Sequence, residues 1–346
     1  MWARLAELPL VVEGYDSRRL EAAPAHGHER CTDLLRLYGA GEEGLGEDIT
    51  TYLAEVDQWT ETPPLPLTGE WTLGSFCDHL AELDQWTEAP EWDLARNWRN
   101  WGYESAALDL ALRQAGRPLH DVVERTPRPV QFVNSFGLGD PPAFATLKRR
   151  RDHYPGLRFK LDAQATWSPE LLAQVADTEA VDTIDFKGQY GLEVKEPDAL
   201  VPLYERVVEL FPDAILEDPH DLPGIAEVLA PHADRVSYDA PIRSVADLDS
   251  VPIPPRIVNV KPSRIGSIRE LLELYAHCDA NGIRMYGGGM GELGVARGQI
   301  ELLASLFHPD TPNDVAPTPY NDEDPPDGLP PSPLEPLTGM SGFRRE

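Results

Sequence analysis

The chain is predicted to be an α/β protein in which an α+β domain precedes a parallel sheet closed on itself. Three observations predict this fold. In the second half, the apolar runs TIDFKG, AILEDPH, RVSYDAPI and RIVNVKPSR carry Asp185, Glu217, Asp239 and Lys261 at their ends, and the last three are spaced 22 and 22 residues apart. That interval holds one strand, one loop and one helix, the repeat of a β/α barrel. Seven strand-then-helix units of this kind follow Arg128-Pro129, which favours a closed parallel sheet over a doubly wound open one. The residues before them obey other periodicities, first alternating and then helical.

Taken in order, residues 1 to about 60 alternate as strands do. LPLVVEGYDSRRLE and ERCTDLLRLYGAGEEGLGED predict a short antiparallel sheet, with Gly39, Gly41, Gly44 and Gly46 at its turns. From 72 to 119 the pattern is helical. WGYESAALDLALRQAGRPL places small and apolar residues at i, i+3, i+4, and Gly116 and Pro118 stop the helix. Barrel strands are predicted to end within 132–136, 159–162, 184–187, 215–218, 236–239, 258–261 and 283–287. Amphipathic segments such as DALVPLYERVVELF and SIRELLELYAHCDANG lie between them. These elements divide the chain into an α+β domain (1–126), a barrel (127–315) and a Pro- and Asp-rich tail (316–346) that packs on the first domain or stays mobile.

A net charge of −29, from 59 acidic and 30 basic side chains, argues against a nucleic-acid or anionic-membrane partner. Cys31, Cys77 and Cys278 are widely spaced, so neither a disulfide framework nor a zinc site is expected. With no leader and no membrane-length apolar run, the chain reads as a cytoplasmic protein. Only Lys148, Lys160, Lys187, Lys195 and Lys261 are lysines, and three of the five fall at predicted strand ends. In a barrel those ends share one mouth, so the three carboxylates and the ammonium converge although far apart in sequence. Three acidic oxygens beside a lysine suit a hard divalent cation with an adjacent acid/base group. A lone strand-end carboxylate is more often a helix N-cap, and Asp239, followed by Pro241, fits that reading too.

Read together and in order, GAGEEGLGED, ESAALDLALRQAGRPL, ILEDPHDLPGIAEVL, SYDAPI, NVKPSRIGSI and YGGGMGELGVARGQIELLASL resemble the enolase superfamily, most closely its muconate-lactonizing subgroup with the o-succinylbenzoate synthases and dipeptide epimerases. The resemblance implies an α+β capping domain and a modified (β/α)7β TIM barrel. It implies one Mg²⁺ held by Asp185, Glu217 and Asp239, and a small carboxylate substrate, either an acid or a dipeptide. The metal would stabilise charge developing on that carboxylate as the α-proton leaves. Lys261 and Lys160 would stand on opposite faces of the substrate. Two working bases suit racemisation or epimerisation; one suits β-elimination or cycloisomerisation. Relatives of this kind often form homo-oligomers.

Two departures from the family pattern leave alternatives open. The second barrel strand, usually ending Lys-x-Lys, reads Arg158-Phe159-Lys160-Leu161-Asp162, so either Lys160 or Asp162 holds the catalytic position. LDAQATW also resembles the first-ligand strand, which would make Asp162 a metal ligand. The first metal strand, usually Asp-x-Asn, reads Asp185-Phe186-Lys187, and Lys187 is expected to pair with Asp185, act as a base or bind an acidic substrate. Glu292 either caps the following helix or polarises substrate or lysine. Asp162, Lys187 and Glu292 are therefore carried as substrate-side residues. His26 and His28 fall on the family's specificity loop, and no histidine ends the seventh strand, which excludes the His-Asp dyad of mandelate racemases. Two other classes compete: an inactive scaffold, motivated by Lys187 and the broken Lys-x-Lys, and a metal-free glycosidase using Glu217 and Asp239.

Overall fold

A computed structural model of the chain describes residues 1–25, 28–50, 64–191, 197–322, 324–336 and 339–344, apart from the side chains of 23–30 and 192–199. His26 and the side chain of His28 lie outside the described parts.

The first domain is built on a three-stranded antiparallel meander, β2 (Gly14–Ala25), β3 (His28–Gly39) and β4 (Glu42–Asp48). Ala40 and Gly41 join β3 to β4 with φ of 50° and 80°, the two left-handed residues of a tight hairpin turn. A small second sheet pairs β1 (Pro9–Val12) with β5 (Gly69–Thr72). Thr72 also caps α2 (Leu73–Glu82) in a reciprocal box with Ser75. The long helix α3 (Leu94–Gln114) lies on the meander along a stripe of small residues. Its approach is so close that a Cβ on Gly46 would stand 2.0 Å from the Gly102 carbonyl, and one on Gly44 2.2 Å from that of Ala106. Glycine is required there for lack of space.

The barrel sheet is parallel, in the order β12-β11-β10-β9-β8-β7-β6, with β6 (Asn134–Gly137), β7 (Phe159–Asp162), β8 (Val181–Asp185), β9 (Ile215–Glu217), β10 (Val236–Tyr238), β11 (Ile257–Val260) and β12 (Arg284–Gly287). Its two edges are joined by 313–314: Asn313 bridges to Phe132 and Asp314 to Gly288, both parallel. Those residues serve as an eighth stave and close the cylinder, giving the capping domain plus modified (β/α)7β barrel expected from the sequence. Helices wrap the outside, including α10 (Ile268–Asn281) and α11 (Val295–Phe307). Between β10 and β11 the helix is reduced to a 3₁₀ turn at Val245–Asp249. The strand register matters most for the site. Asp162 pairs with Asp185 and Asp185 with Glu217, so the ends of three adjacent staves stand level.

Cap and barrel are joined by polar contacts near the mouth. The buried Glu47 carboxylate of β4 accepts hydrogen bonds from the N–H groups of Leu293 (2.6 Å), Gly294 (3.0 Å) and Ala296 (3.1 Å), at the start of α11. One face of α3 holds the segment after β11. Asn97 donates to the Arg264 carbonyl and Asn100 to that of Gly266, each at 2.7 Å, while Glu104 accepts from the Ile268 N–H at 2.7 Å. The tail pairs Leu334 with Val130, and the N–H of the buried Phe343 donates to Asp109 of α3 at 2.6 Å. Among the described residues no helix is long and apolar enough to cross a membrane.

Two measurements check this architecture. Gly46→Ala should destabilise the protein by about 3 kcal/mol through overpacking of α3 on β4, read as a lower urea midpoint. Burial pushes the Glu104 carboxyl up to about 7 despite the hydrogen bonds from Ile268 and Asn100, against an ordinary 4.5. Folded Glu104 therefore keeps a proton that the unfolded chain releases; its contribution is complete below about 4.5 and is lost as pH rises through 7. Between pH 4.5 and pH 8 the stability of wild type relative to Glu104→Gln should fall by on the order of 3 kcal/mol, and a pH-independent difference would refute this account.

Candidate active site

The C-terminal ends of the barrel strands bring together every residue the sequence singled out on 160–261. Asp185, Glu217 and Asp239 are completely buried, and Lys160 and Lys261 nearly so. Strand alternation and register together bring this about, because residues two apart on a stave share a face and the level register aligns neighbouring staves. Among the described residues, Asp185, Glu217 and Asp218 form a close acidic group, each offering one carboxylate oxygen within 4.8 Å of the others.

That trio differs from the expected one. Asp218 replaces Asp239 in it, although Asp218 is also tied to the backbone, accepting from the N–H groups of Asp239 (2.7 Å) and Ala240 (3.0 Å). It has left-handed φ, 46°, which turns its side chain toward the next stave. Asp239 itself is turned to the cationic side: its Oδ2 lies 2.8 Å from Lys261 Nζ and accepts from Tyr190 at 3.1 Å, while Oδ1 lies 3.3 Å from Arg264 Nε. Asp239 Oδ1 is buried without a hydrogen bond.

The structure also departs from the expectation for Lys160. Its amine is enclosed rather than turned to the mouth: 1% exposed, it donates to Glu217 and lies 3.1 Å from Asp185 and 3.8 Å from Asp314. Asp162 occupies the end of the same strand and is about one-third exposed, with its Oδ1 3.2 Å from Lys187 Nζ. Asp162 is thus level with the acids but paired with an amine. Lys187 also pairs with Asp185, as one of its expected roles required. Glu292 accepts from the Met290 N–H at 2.8 Å; its other oxygen is buried without a hydrogen bond, 3.7 Å from Arg297.

Several neighbours went unnoticed in the sequence. Glu217 accepts from Tyr286 at one oxygen and from Asn259 (3.2 Å) and Lys160 at the other. Tyr286 and Asn259 stand inside the barrel, and only their alternation with lipophilic neighbours on β12 and β11 hinted at an inward face. Asp218 was visible as the second acid of ILEDPH. Asp314 carried no local signal, since its place depends on closure of the cylinder.

Charge is distributed unevenly across the cluster. Burial pushes Glu217 up to about 8, with Lys160 opposing the rise, and pushes Asp218 up to about 7, reinforced by Asp239 and Asp185. For Asp185 burial acts the same way, but Lys160 and Lys187 outweigh it and bring it down to about 2. Arg264 and Lys261 likewise overcome burial and hold Asp239 below the ordinary carboxylate range. Burial disfavours the Lys160 ammonium, yet Glu217 and Asp185 keep its pKa well above the ordinary value. The donor set is made of hard carboxylate oxygens, with Asp239 Oδ1 still lacking a hydrogen bond, and it fits a divalent cation such as Mg²⁺, Mn²⁺ or Ca²⁺.

The sequence and the fold both have relatives among known proteins. Residues 3–122 match the family described as "Domain of unknown function (DUF8230) N-terminal domain" and residues 126–322 its C-terminal counterpart. An N-succinylamino acid racemase from Thermus thermophilus is 29% identical over 327 residues, covering 90% of this chain and 84% of that protein. An o-succinylbenzoate synthase from Bacillus subtilis is 39% identical over 70 residues, 20% of this chain and 19% of its own. The fold is shared with a dipeptide epimerase from Methylococcus capsulatus, solved in complex with a Mg ion, at a TM-score of 0.68 and 19% identity over 88% of this chain and 89% of that one. The chain belongs to the DUF8230 family and, with its cap, its barrel and these relatives, to the enolase superfamily of isomerases and lyases.

Proposed function

We propose that the protein is a Mg²⁺-dependent enzyme that removes the proton α to the carboxylate of a small acid, an N-acylated amino acid or a dipeptide, giving racemisation, epimerisation or elimination. The observation that carries this reading is the buried acid cluster with the Lys261 ammonium, 7% exposed, on the stave beyond it. The names of the relatives, a racemase and a synthase, support the same class of chemistry.

Asp185, Glu217 and Asp239 would hold the ion, with Asp218 close enough to serve as a further ligand or to fix the Asp239 backbone. When bound, the ion would supply positive charge where negative charge develops on the substrate carboxylate. Lys261, in its neutral form, takes the α-proton. Arg264 and Tyr190 hold Asp239 beside it. Tyr286, Asn259 and Lys160 fix the Glu217 carboxylate, so Lys160 acts by positioning the acids rather than by meeting the substrate carbon. Glu47 locks the Glu292 loop to the cap.

The test is proton–deuterium exchange in D₂O, with Mg²⁺, across carboxylic acids, N-acyl amino acids and dipeptides. Exchange should occur with at least one class, vanish in EDTA, and fall roughly 10²–10⁴-fold in Lys261→Ala. Mg²⁺ binding without exchange in any class would instead favour the inactive-scaffold reading that Lys187 motivates.

A further inference from the structure

Lys187 covers both oxygens of one acid by itself. Its backbone N–H donates to Asp185 Oδ1 at 3.0 Å, and its ammonium donates to Asp185 Oδ2. The residue adopts left-handed φ, 55°, uncommon for a lysine and the conformation that folds its side chain back onto its own strand end. The same ammonium lies 3.2 Å from Asp162 Oδ1 on the neighbouring stave, and 5.5 Å from the centre of the Tyr190 ring. Its exposure differs from that of the other two site lysines, Lys160 and Lys261. The side chains of Lys187 and Asp162 are each 35% exposed, whereas that of Lys160 is 1% exposed and enclosed by carboxylates.

We propose that Lys187 is a tethered cation of the metal centre, neutralising Asp185 until a divalent ion binds, and that Asp162 receives its ammonium when the ion takes its place. This rests on the metal-site reading above. A divalent ion at Asp185 repels a neighbouring ammonium, and a buried or half-buried charge needs a partner. Asp162 supplies that partner within a short swing of the side chain, because the register sets Asp162 level with Asp185. The acid that ends β7, Asp162, and the amine that follows β8, Lys187, are then one feature.

The displacement also has a place in the chemistry. In the eight-stave cylinder β7 and β11 lie four staves apart, across the mouth from one another. An ammonium on Asp162 therefore stands on the side opposite Lys261, where Lys160 does not reach. It is a fixed positive charge there, suited to hold a substrate carboxylate or carbonyl.

Calorimetric titration of the full chain with Mg²⁺ and with Mn²⁺ at fixed ionic strength tests this, with circular dichroism confirming that each variant is folded. Lys187→Met, and Lys187→Gln as a second variant, should bind the ion about tenfold more tightly than wild type, since one ammonium fewer competes for Asp185 and only the enclosed Lys160 remains beside it. Asp162→Asn should bind it about threefold to tenfold more weakly, since the displaced ammonium loses its partner. The double variant Lys187→Met with Asp162→Asn should match Lys187→Met alone. Unchanged or weaker binding in both Lys187 variants, or an Asp162→Asn effect that persists without the amine, overturns the proposal while leaving the metal site intact. Failure of wild type and both Lys187 variants to bind either ion overturns this proposal and the metal-site reading together.

Discussion

Concentrated negative charge in a dry barrel mouth is the constraint around which this molecule is arranged. Asp185, Glu217, Asp218 and Asp239 are all fully buried on consecutive staves. Isolated carboxylates in such a place would be neutralised or expelled. Here they are retained because cations enter from three directions: Lys160 from within the barrel, Lys261 and Arg264 from the next stave, and Lys187 from the mouth. The lateral hydrogen bonds of Tyr286 and Asn259 complete the shell around Glu217. The acids differ in how far they are neutralised, and Asp239 Oδ1, without a hydrogen bond, has the Arg264 guanidinium 3.3 Å away.

The cap contributes to this centre through the backbone. Asn97, Asn100 and Glu104 recur at helical spacing on α3 and bind successive polar groups of the segment that carries Lys261 and Arg264. Glu47 does the same for the loop that carries Glu292. These contacts depend on α3 lying flat on its sheet, which in turn depends on Gly44 and Gly46 having no side chains. A stripe of glycines in the cap thus reaches the site through one helix and three hydrogen bonds.

Lysines stand at the barrel mouth in unlike settings. Lys160 occupies a strand position from which it serves the acids, and the end of that strand is given to Asp162. A lysine from the adjacent stave fills the resulting space. One fold can thus host different reactions through the charged groups at its mouth.

Most of the architecture was legible in the order of residues. The 22-residue interval, the alternating strand ends and the apolar helix faces follow from local periodicity, which any chain with those side chains must satisfy. The same periodicity identified Asp185, Glu217, Asp239 and Lys261 as neighbours, because a parallel barrel sends all its strand ends to one mouth. Register was beyond its reach: local pattern is unchanged by sliding one strand past another, so the direction in which Lys160 and Asp162 point was settled only by pairing with β8. The role of Asp218 needed its left-handed backbone, and Asp314 became a neighbour of Lys160 only through closure of the first and last staves. The sequence by itself determined which chemical groups the mouth contains; the tertiary structure decided which amine meets which acid, since that depends on distances between staves that no one segment encodes.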